Sequence, residues 1–474
     1  MSHPIYETVM GLEVHVQLAT QTKLFSTSST EFGASPNLHA SEIDLALPGT
    51  LPVLNQKAVE LAIRLGLAIG ASIHRESVFA RKHYFYPDLP KGYQISQMDD
   101  PIVQHGNLAI STEKTIHIQR AHLEEDAGKS IHNAHKTLTA LDFNRAGTPL
   151  LEIVTDPDFR TTDEVIAYLK KLHHLVRYLG ISDGNMQEGS FRADVNLSIR
   201  KKGEKTYGTR VEIKNLNSFR FIERAIEVET ERQIYALEHG EKLIQETRLF
   251  DPDLDETRSM RTKETAEDYR YFPDPDLLPV SIDEAWIQSI RDSLPEMPWI
   301  RSERYEKSYG LSSDDIEVLM QKPTISDYFE ATLALGTDPK RTANWMIGEI
   351  LPRLAEMHQS IEDCPVSEAS LSALIGKITN NTLSSKTAKI AFSHLWQQNG
   401  TLEDIIQREN LAQVSDTAAL QGLVDELFVK FPEQIQELRE GKDKVMGFLL
   451  GQIMKASGGK VNPAEVQRLI REKV

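Results

Sequence analysis

Cysteine is almost absent from this chain of 474 residues, Cys364 being the one thiol. An internal disulfide and a cysteine-rich zinc site are thereby excluded, and a reducing compartment, the cytoplasm, is expected. Long apolar runs are missing too: no stretch reaches the roughly 18 residues of a membrane-spanning helix, so no membrane association is expected. The opening MSHPIYETVM lacks a basic stretch followed by an apolar one, so no secretory signal is expected. Basic residues are in deficit, 53 Lys and Arg against 70 Asp and Glu, for a net charge of −17. Taken as a sum, this disfavours a nucleic-acid partner, because phosphates need cations. No Gly-x-x-x-x-Gly-Lys-Ser/Thr loop occurs, which argues against a P-loop nucleotide fold, and no Gly-x-Ser-x-Gly elbow occurs either. Cys364 stands before Pro365 between helical stretches, with nothing nearby that suggests a base or a shaped pocket for a thiol nucleophile.

What is present is uneven. Basic residues outnumber acidic ones from Arg192 to Arg220 and from Lys430 to Val474, so an acidic protein carries two basic islands. Contact with a polyanion is possible there in a restricted way. The stretch GLEVHVQL, residues 11–18, alternates Leu12, Val14 and Val16 with Glu13, His15 and Gln17. That alternation predicts a strand with one oily face and one face carrying a carboxylate and an imidazole. In TPLLEIV, Glu152 is the single acid of an apolar strand, and in FRADVNLSI Asp194 lies on the polar side. The segment AHLEEDAGK adds Glu124, Glu125 and Asp126. An acid in an apolar strand is costly to bury unless paired or metal-bound, so these faces are expected to meet. Carboxylates with one histidine suit a hard divalent cation, Mg²⁺ being the abundant one in cells. RKHYFYPDLPKGYQISQ, residues 81–97, packs aromatics, prolines and lysines into a loop, a composition suited to a stacked base and a held phosphate.

The organisation changes along the chain. Strands are expected at Glu13–Leu18, Thr115–Gln119, Leu150–Val154, Arg192–Ile199 and Thr209–Ile213, the last two as a hairpin around RKKGEKTYG. A helix is expected after Thr161, which forms a capping box with Glu164, and it stops at Gly180; a second runs over Ser218–His239. Beyond DSLPEMPW, residues 292–299, only helices are expected, with starts at Ser312, Thr401 and Asn462. The fold class is therefore α+β for residues 1–292, a mixed or antiparallel sheet with helices. An all-α connector, 293–400, and a small all-α tail, 401–474, follow.

Eight motifs occur in order: GLEVHVQL, PGTLPVLN, RKHYFYPDLPKGYQISQ, HLEEDAGK, DFNRAGTPLLEIV, FRADVNLSI, EIKNLNSFRFIERAIE and DYRYFPDPDLLP. Together they resemble the GatB family, the B subunits of aspartyl/glutamyl-tRNA amidotransferases, nearly end to end. The resemblance implies a cradle-like catalytic domain and a YqeY-like tail. It implies a heterotrimer with an A subunit that releases ammonia from glutamine and a small C subunit. The substrates implied are Glu-tRNA(Gln), Asp-tRNA(Asn) or both, activated with ATP and Mg²⁺. Carried over by motif, Glu13, His15, Glu125 and Glu152 match metal-binding positions, with Asp194 nearby; Glu124 is a neighbour whose role is not separated from that of Glu125. Lys82, Tyr84 and Lys91 match positions lining the nucleotide and acceptor-end pocket, and Ser190 and Arg192 join them. Lys442, Lys444, Lys455 and Lys460 fall in the part that would grip tRNA. Some relatives carry a cysteine zinc knuckle where this chain has LHASEIDLALPGT, residues 38–50, so no structural zinc is expected. Packing of Ile43, Leu45 and Leu47 is the expected substitute. The rival readings are a non-catalytic tRNA-binding scaffold and a stand-alone metal-dependent hydrolase.

Overall fold

The computed structural model describes residues 3–135, 138–262, 266–413, 417–457 and 461–474. It divides into two compact units, Met1–Pro298 and Trp299–Val474.

The first unit is built on a nine-stranded sheet. Its strands are β1 (Tyr6–Gln17), β2 (Ser72–Ile73), β3 (Val103–Ala109), β4 (Thr115–Glu125), β5 (Pro149–Thr155), β6 (Phe191–Lys201), β7 (Val211–Lys214), β8 (Glu246–Asp251) and β9 (Glu256–Thr262). The spatial order is β9-β8-β7-β6-β1-β5-β4-β3-β2. All neighbours are antiparallel except β7 and β8. The sequence expectation of a mixed sheet is met, with β1 at its centre. β1 starts earlier than its alternation suggested, because Tyr6–Leu12 continues the ladder with Val195–Lys201 of β6. The hairpin of β6 and β7 forms as expected, with Val195 opposite Ile213.

Leu12, Val14 and Val16 are buried, as are Leu151, Ile153, Ala193 and Val195 on the flanking strands. This oily face is the core that alternation requires. Helix α1 (Gln56–Ala68) packs on β2, β3 and β4, while α3 (Phe219–Glu238) packs on β6 and β9, with α2 (Thr162–Tyr178) beside it. The α2 capping box is present: Thr161 Oγ1 accepts from the Glu164 amide at 3.3 Å, and the Glu164 carboxylate accepts from the Thr161 amide at 3.4 Å. A small sheet of Phe272–Pro273, Ala80–His83 and Tyr93–Ser96 is tied together by Arg81, whose Nε donates to Asp274 at 2.9 Å.

The segment 38–50 is held differently from the sequence expectation. Leu47 is 47% exposed, and Ile43 and Leu45 are only half-buried. Asp44 provides the anchor instead. Its carboxylate takes Lys23 Nζ at 3.2 Å, Ser26 Oγ at 2.8 Å and the Ser41 amide and hydroxyl at 2.8 and 2.9 Å. The loop's apolar side chains are turned partly outward, Leu38 being 69% exposed, so a buried ion pair whose carboxylate is fully hydrogen-bonded fixes it instead.

The second unit is helical among its described residues. Leu402–Arg408 begins with the expected Thr401–Asp404 capping box and packs on Glu368–Thr379 and Ser385–Trp396. The four helices after it, Thr417–Lys430, Pro432–Arg439, Lys444–Ala456 and Pro463–Lys473, share an apolar cluster that includes Val424, Leu449, Ile453 and Ile470. No helix of the described residues is long and apolar enough to cross a membrane.

Candidate functional site

Strand register builds the site. His15 on β1 stands opposite Glu152 of β5 and Arg192 of β6, and Glu152 stands opposite His122 of β4. One row across four strands therefore reads His122, Glu152, His15, Arg192 on the polar face. Two residues along β1, Glu13 stands opposite Asp194. These rows, with Glu124, floor a cleft of about 540 Å³ whose walls include Lys82, Tyr84, Tyr269 and Tyr271.

Two clusters of ligand-type atoms lie on this floor. His15, Glu124 and Glu152 each bring a donor atom within 4.8 Å of the others, and so do Glu13, Asp194 and Glu212. In the first, His15 Nε2 is 3.5 Å from Glu124 and 3.4 Å from Glu152. His122 Nε2 is 3.5 Å from Glu152 and 3.8 Å from Glu124. Burial works against charging any of these groups, yet the opposite charges prevail. Glu152 and Glu124 push His122 up to about 9 and raise His15 as well, while His122 and His15 hold Glu152 well below the usual carboxylate range. In the second cluster, Lys214 Nζ lies 2.5 Å from Asp194 and 3.3 Å from Glu212, and Asn196 Nδ2 donates to Glu13 at 2.9 Å. Buried carboxylates that draw in imidazolium and ammonium groups are a donor set suited to a cation.

Glu125 was expected among the metal ligands, but the strand turns it to the other face. Adjacent strand residues point to opposite sides, so Glu124 reaches the His15 cluster and Glu125 does not. Glu125 is buried, accepts from Lys91 Nζ at 2.5 Å and takes the Ile95 amide at 3.1 Å. Lys91 is thereby engaged, its side chain only 8% exposed, and it does not line the cleft. Ser190 lies elsewhere too: its carbonyl accepts from the Gln17 amide at 2.9 Å, and it lines an adjacent cavity of about 700 Å³.

Lys82, Tyr84 and Arg192 do line the cleft. Lys82 Nζ sits 5.0 Å from the centre of the Tyr269 ring. Although burial opposes it, Tyr271, Glu124 and Glu152 keep Lys82 strongly protonated. Arg192 is aimed by Asp126, 3.1 Å from its guanidinium, and Gln17 Nε2 donates to the same carboxylate at 2.8 Å. Of the groups that sequence reasoning missed, His122 was within reach, since it precedes Glu124 by two on one strand. Glu212 and Lys214 carry the same i, i+2 signal in VEIK. Lys442, Lys444 and Lys455 are exposed at or near the ends of the Lys444–Ala456 helix, with Lys442 paired to Glu437 at 2.9 Å. Lys460 lies outside the described residues.

The GatB/GatE catalytic domain matches residues 8–288, the whole of the cleft, and a second model, the GatB domain, matches residues 327–474. The chain belongs to the GatB family. Its relatives include the B subunit of the aspartyl/glutamyl-tRNA(Asn/Gln) amidotransferase of Thioalkalivibrio sulfidiphilus, 54% identical over 474 residues and 99% of each chain. The protein of the same name from Thiobacillus denitrificans is 54% identical over 472 residues, again 99% of each. That of Coxiella burnetii is 53% identical over 475 residues, covering 99% of this chain and all of that one. GatB membership makes this an amidotransferase polypeptide and agrees with the order of the eight motifs.

Proposed function

We propose that this chain is the B subunit of a heterotrimeric, glutamine-dependent tRNA amidotransferase of the cytoplasm, with an A subunit supplying ammonia and a C subunit completing the assembly. It converts Glu-tRNA(Gln), Asp-tRNA(Asn) or both to the amide form. The observation that carries this reading is the convergence of His15, Glu124 and Glu152 in a cleft lying wholly within the segment that matches the GatB catalytic domain.

The chemistry asks for charge control. A carboxylate is a poor acceptor for ammonia, because its charge repels a nucleophile and oxide is a poor leaving group. Attack of a carboxylate oxygen on the γ-phosphorus of ATP releases ADP and leaves an acyl phosphate; ammonia then displaces phosphate at the carbonyl carbon. Such transfer depends on positioning and neutralisation more than on covalent help. Lys82 and Arg192 present fixed cations to the transferring oxygens, and Tyr84, Tyr269 and Tyr271 narrow the cleft. His15, Glu124 and Glu152 would hold Mg²⁺, with Glu13, Asp194 and Glu212 a second set of the same chemistry; a bound Mg²⁺ screens phosphoryl oxygens. Assembled with its A and C subunits and given ATP and misacylated tRNA, the chain should release ADP only when the tRNA is aminoacylated. ATP cleavage by the isolated chain without tRNA would favour the hydrolase reading and sink this one.

We also propose a division into catalytic residues 1–292, a connector and a tRNA-binding tail beginning near residue 401. The separate apolar cluster of the last four helices supports an independent tail, and Leu402–Arg408, which packs on the preceding helices, is the link that leads into it. Removing residues 417–474 should weaken tRNA binding by about tenfold or more at moderate salt while the melting of the first unit is unchanged. Retained tRNA affinity in a filter-binding titration would refute the assignment of Lys442, Lys444, Lys455 and Lys460.

A further inference from the structure

The second carboxylate cluster holds a cation of its own. One step beyond the Val195–Ile213 pair of the β6–β7 ladder, Asp194 and Lys214 come level, and Glu13 stands opposite Asp194 on the other side. Lys214 and Glu212 lie two residues apart on β7 and so share a face. The ammonium therefore lands among the acids, 2.5 Å from Asp194 Oδ2 and 3.3 Å from Glu212 Oε1. Two further oxygens are held from outside the cluster. Thr247 Oγ1 donates to Glu212 Oε2 at 2.8 Å, and Asn196 Nδ2 donates to Glu13 Oε1 at 2.9 Å.

This arrangement differs in kind from that of the first cluster. There, among the described residues, Glu124 and Glu152 pair with His15 and His122 only. Neutral imidazole is itself a metal ligand, so those partners need not leave when an ion binds. An ammonium has no lone pair to offer. On the second cluster Lys214 takes the place of an ion and cannot help to bind one. Mg²⁺ takes its oxygens at ~2.0–2.1 Å, so Mg²⁺ and the ammonium on one Asp194 oxygen would be two cations in contact. Lys214 has room to leave. Its backbone is fixed, because Asn215 turns the chain with φ +68° and its Nδ2 donates to the Phe250 carbonyl at 3.1 Å. Its side chain lines the cleft and is 33% exposed, whereas that of Lys91, locked on Glu125, is 8% exposed.

We propose that Lys214 is a tethered counter-ion: it occupies Glu13, Asp194 and Glu212 until the phosphates of a nucleotide draw it into the cleft, and a second divalent cation enters only then. This rests on the reading of the cleft as a site of ATP-dependent activation by divalent cations. The two sets then fill in order, His15, Glu124 and Glu152 first. The polyphosphate supplies the negative charge that exchanges the lysine for the ion, so the acidic floor does not collect a second metal ahead of its substrate.

The test counts Mn²⁺, standing for Mg²⁺, on the assembled amidotransferase by loss of the free-ion EPR signal, with and without a β,γ-imido analogue of ATP. Melting temperature is the folding control. Without the analogue, Lys214→Met should bind one ion more than the parent, with an affinity at least about tenfold tighter than the parent shows for it, the scale on which a neighbouring charge acts. With the analogue the two counts should agree. Lys214→Arg keeps the charge and should follow the parent throughout. Adding Asp194→Asn to Lys214→Met should remove the extra ion, which assigns it to the second cluster. Equal counts for folded Lys214→Met and the parent without the analogue would overturn the proposal. So would a parent complex that fills both sets before the analogue is added, a result that needs no variant. ADP release by the parent on aminoacyl-tRNA reports separately on the reading of the cleft, and its absence would sink that reading whatever the ion counts.

Discussion

Exchanging Glu124 for glutamine lowers aminoacyl-tRNA-dependent ADP release by about 10²- to 10³-fold, the scale on which removal of one electrostatic group from a preorganised site is felt. The same exchange at Glu125 leaves ADP release within about threefold at temperatures where the protein is folded, and lowers the melting temperature. The two residues are neighbours in sequence, so the contrast isolates the face each one occupies. Glu124 lies 3.5 Å from His15 and 3.8 Å from His122 on the cleft floor. The Glu125 carboxylate neutralises buried Lys91, and glutamine there leaves an ammonium without its counter-charge. Glu124→Gln should also raise the Mg²⁺ concentration needed for half-maximal ADP release, which a packing defect does not do. Equal losses in the two variants would refute the partition. Glu13→Ala combined with His15→Ala touches both clusters and should fall at least as far with tRNA affinity retained. Unchanged ATP turnover in that variant would restore the scaffold reading.

The same pair shows what a sequence does and does not disclose. Alternation in GLEVHVQL was enough to place Glu13 and His15 on one face, because period-two patterning is local. Capping at Thr161 was equally legible, since both partners lie within one turn. The choice between Glu124 and Glu125 was not, because either is compatible with a strand whose phase is set by partners elsewhere. His15 opposite Glu152 is a pairing across more than a hundred residues, fixed by strand order alone. Gln17 had no visible role until Asp126, also distant in sequence, was found between it and Arg192. Lys91 reads as a phosphate ligand in a loop of aromatics and prolines; only the fold reveals that Glu125 already holds it.

Replacing Asp44 with alanine should destabilise the first unit by about 3–5 kcal/mol, the usual result of stripping a buried charge of its partner. Lys23 and Asp44 have side chains 0% and 3% exposed. Burial pulls the Lys23 ammonium below its ordinary value, and Asp44 is the chief group opposing that. Without Asp44 the amine retains the carbonyl oxygens of His39 and Phe143 and only the more distant charges of Glu125 and Asp142, and Ser26 and Ser41 lose their acceptor. The damage extends toward the cleft. Gly147, whose Cβ would lie 2.9 Å from Asp44 Oδ1, adopts φ +85° two residues before β5, and its carbonyl accepts from the Leu24 amide at 2.9 Å. A loosened anchor therefore frays the entry of the strand that carries Glu152. The expected readout is a first thermal transition lowered by several degrees, together with faster proteolysis within residues 26–55. Pairing Asp44→Leu with Lys23→Met should recover much of the stability, because well-packed apolar residues replace a buried ion pair at little cost. A single Asp44→Ala variant that melts like the parent would show that the loop is held by other means.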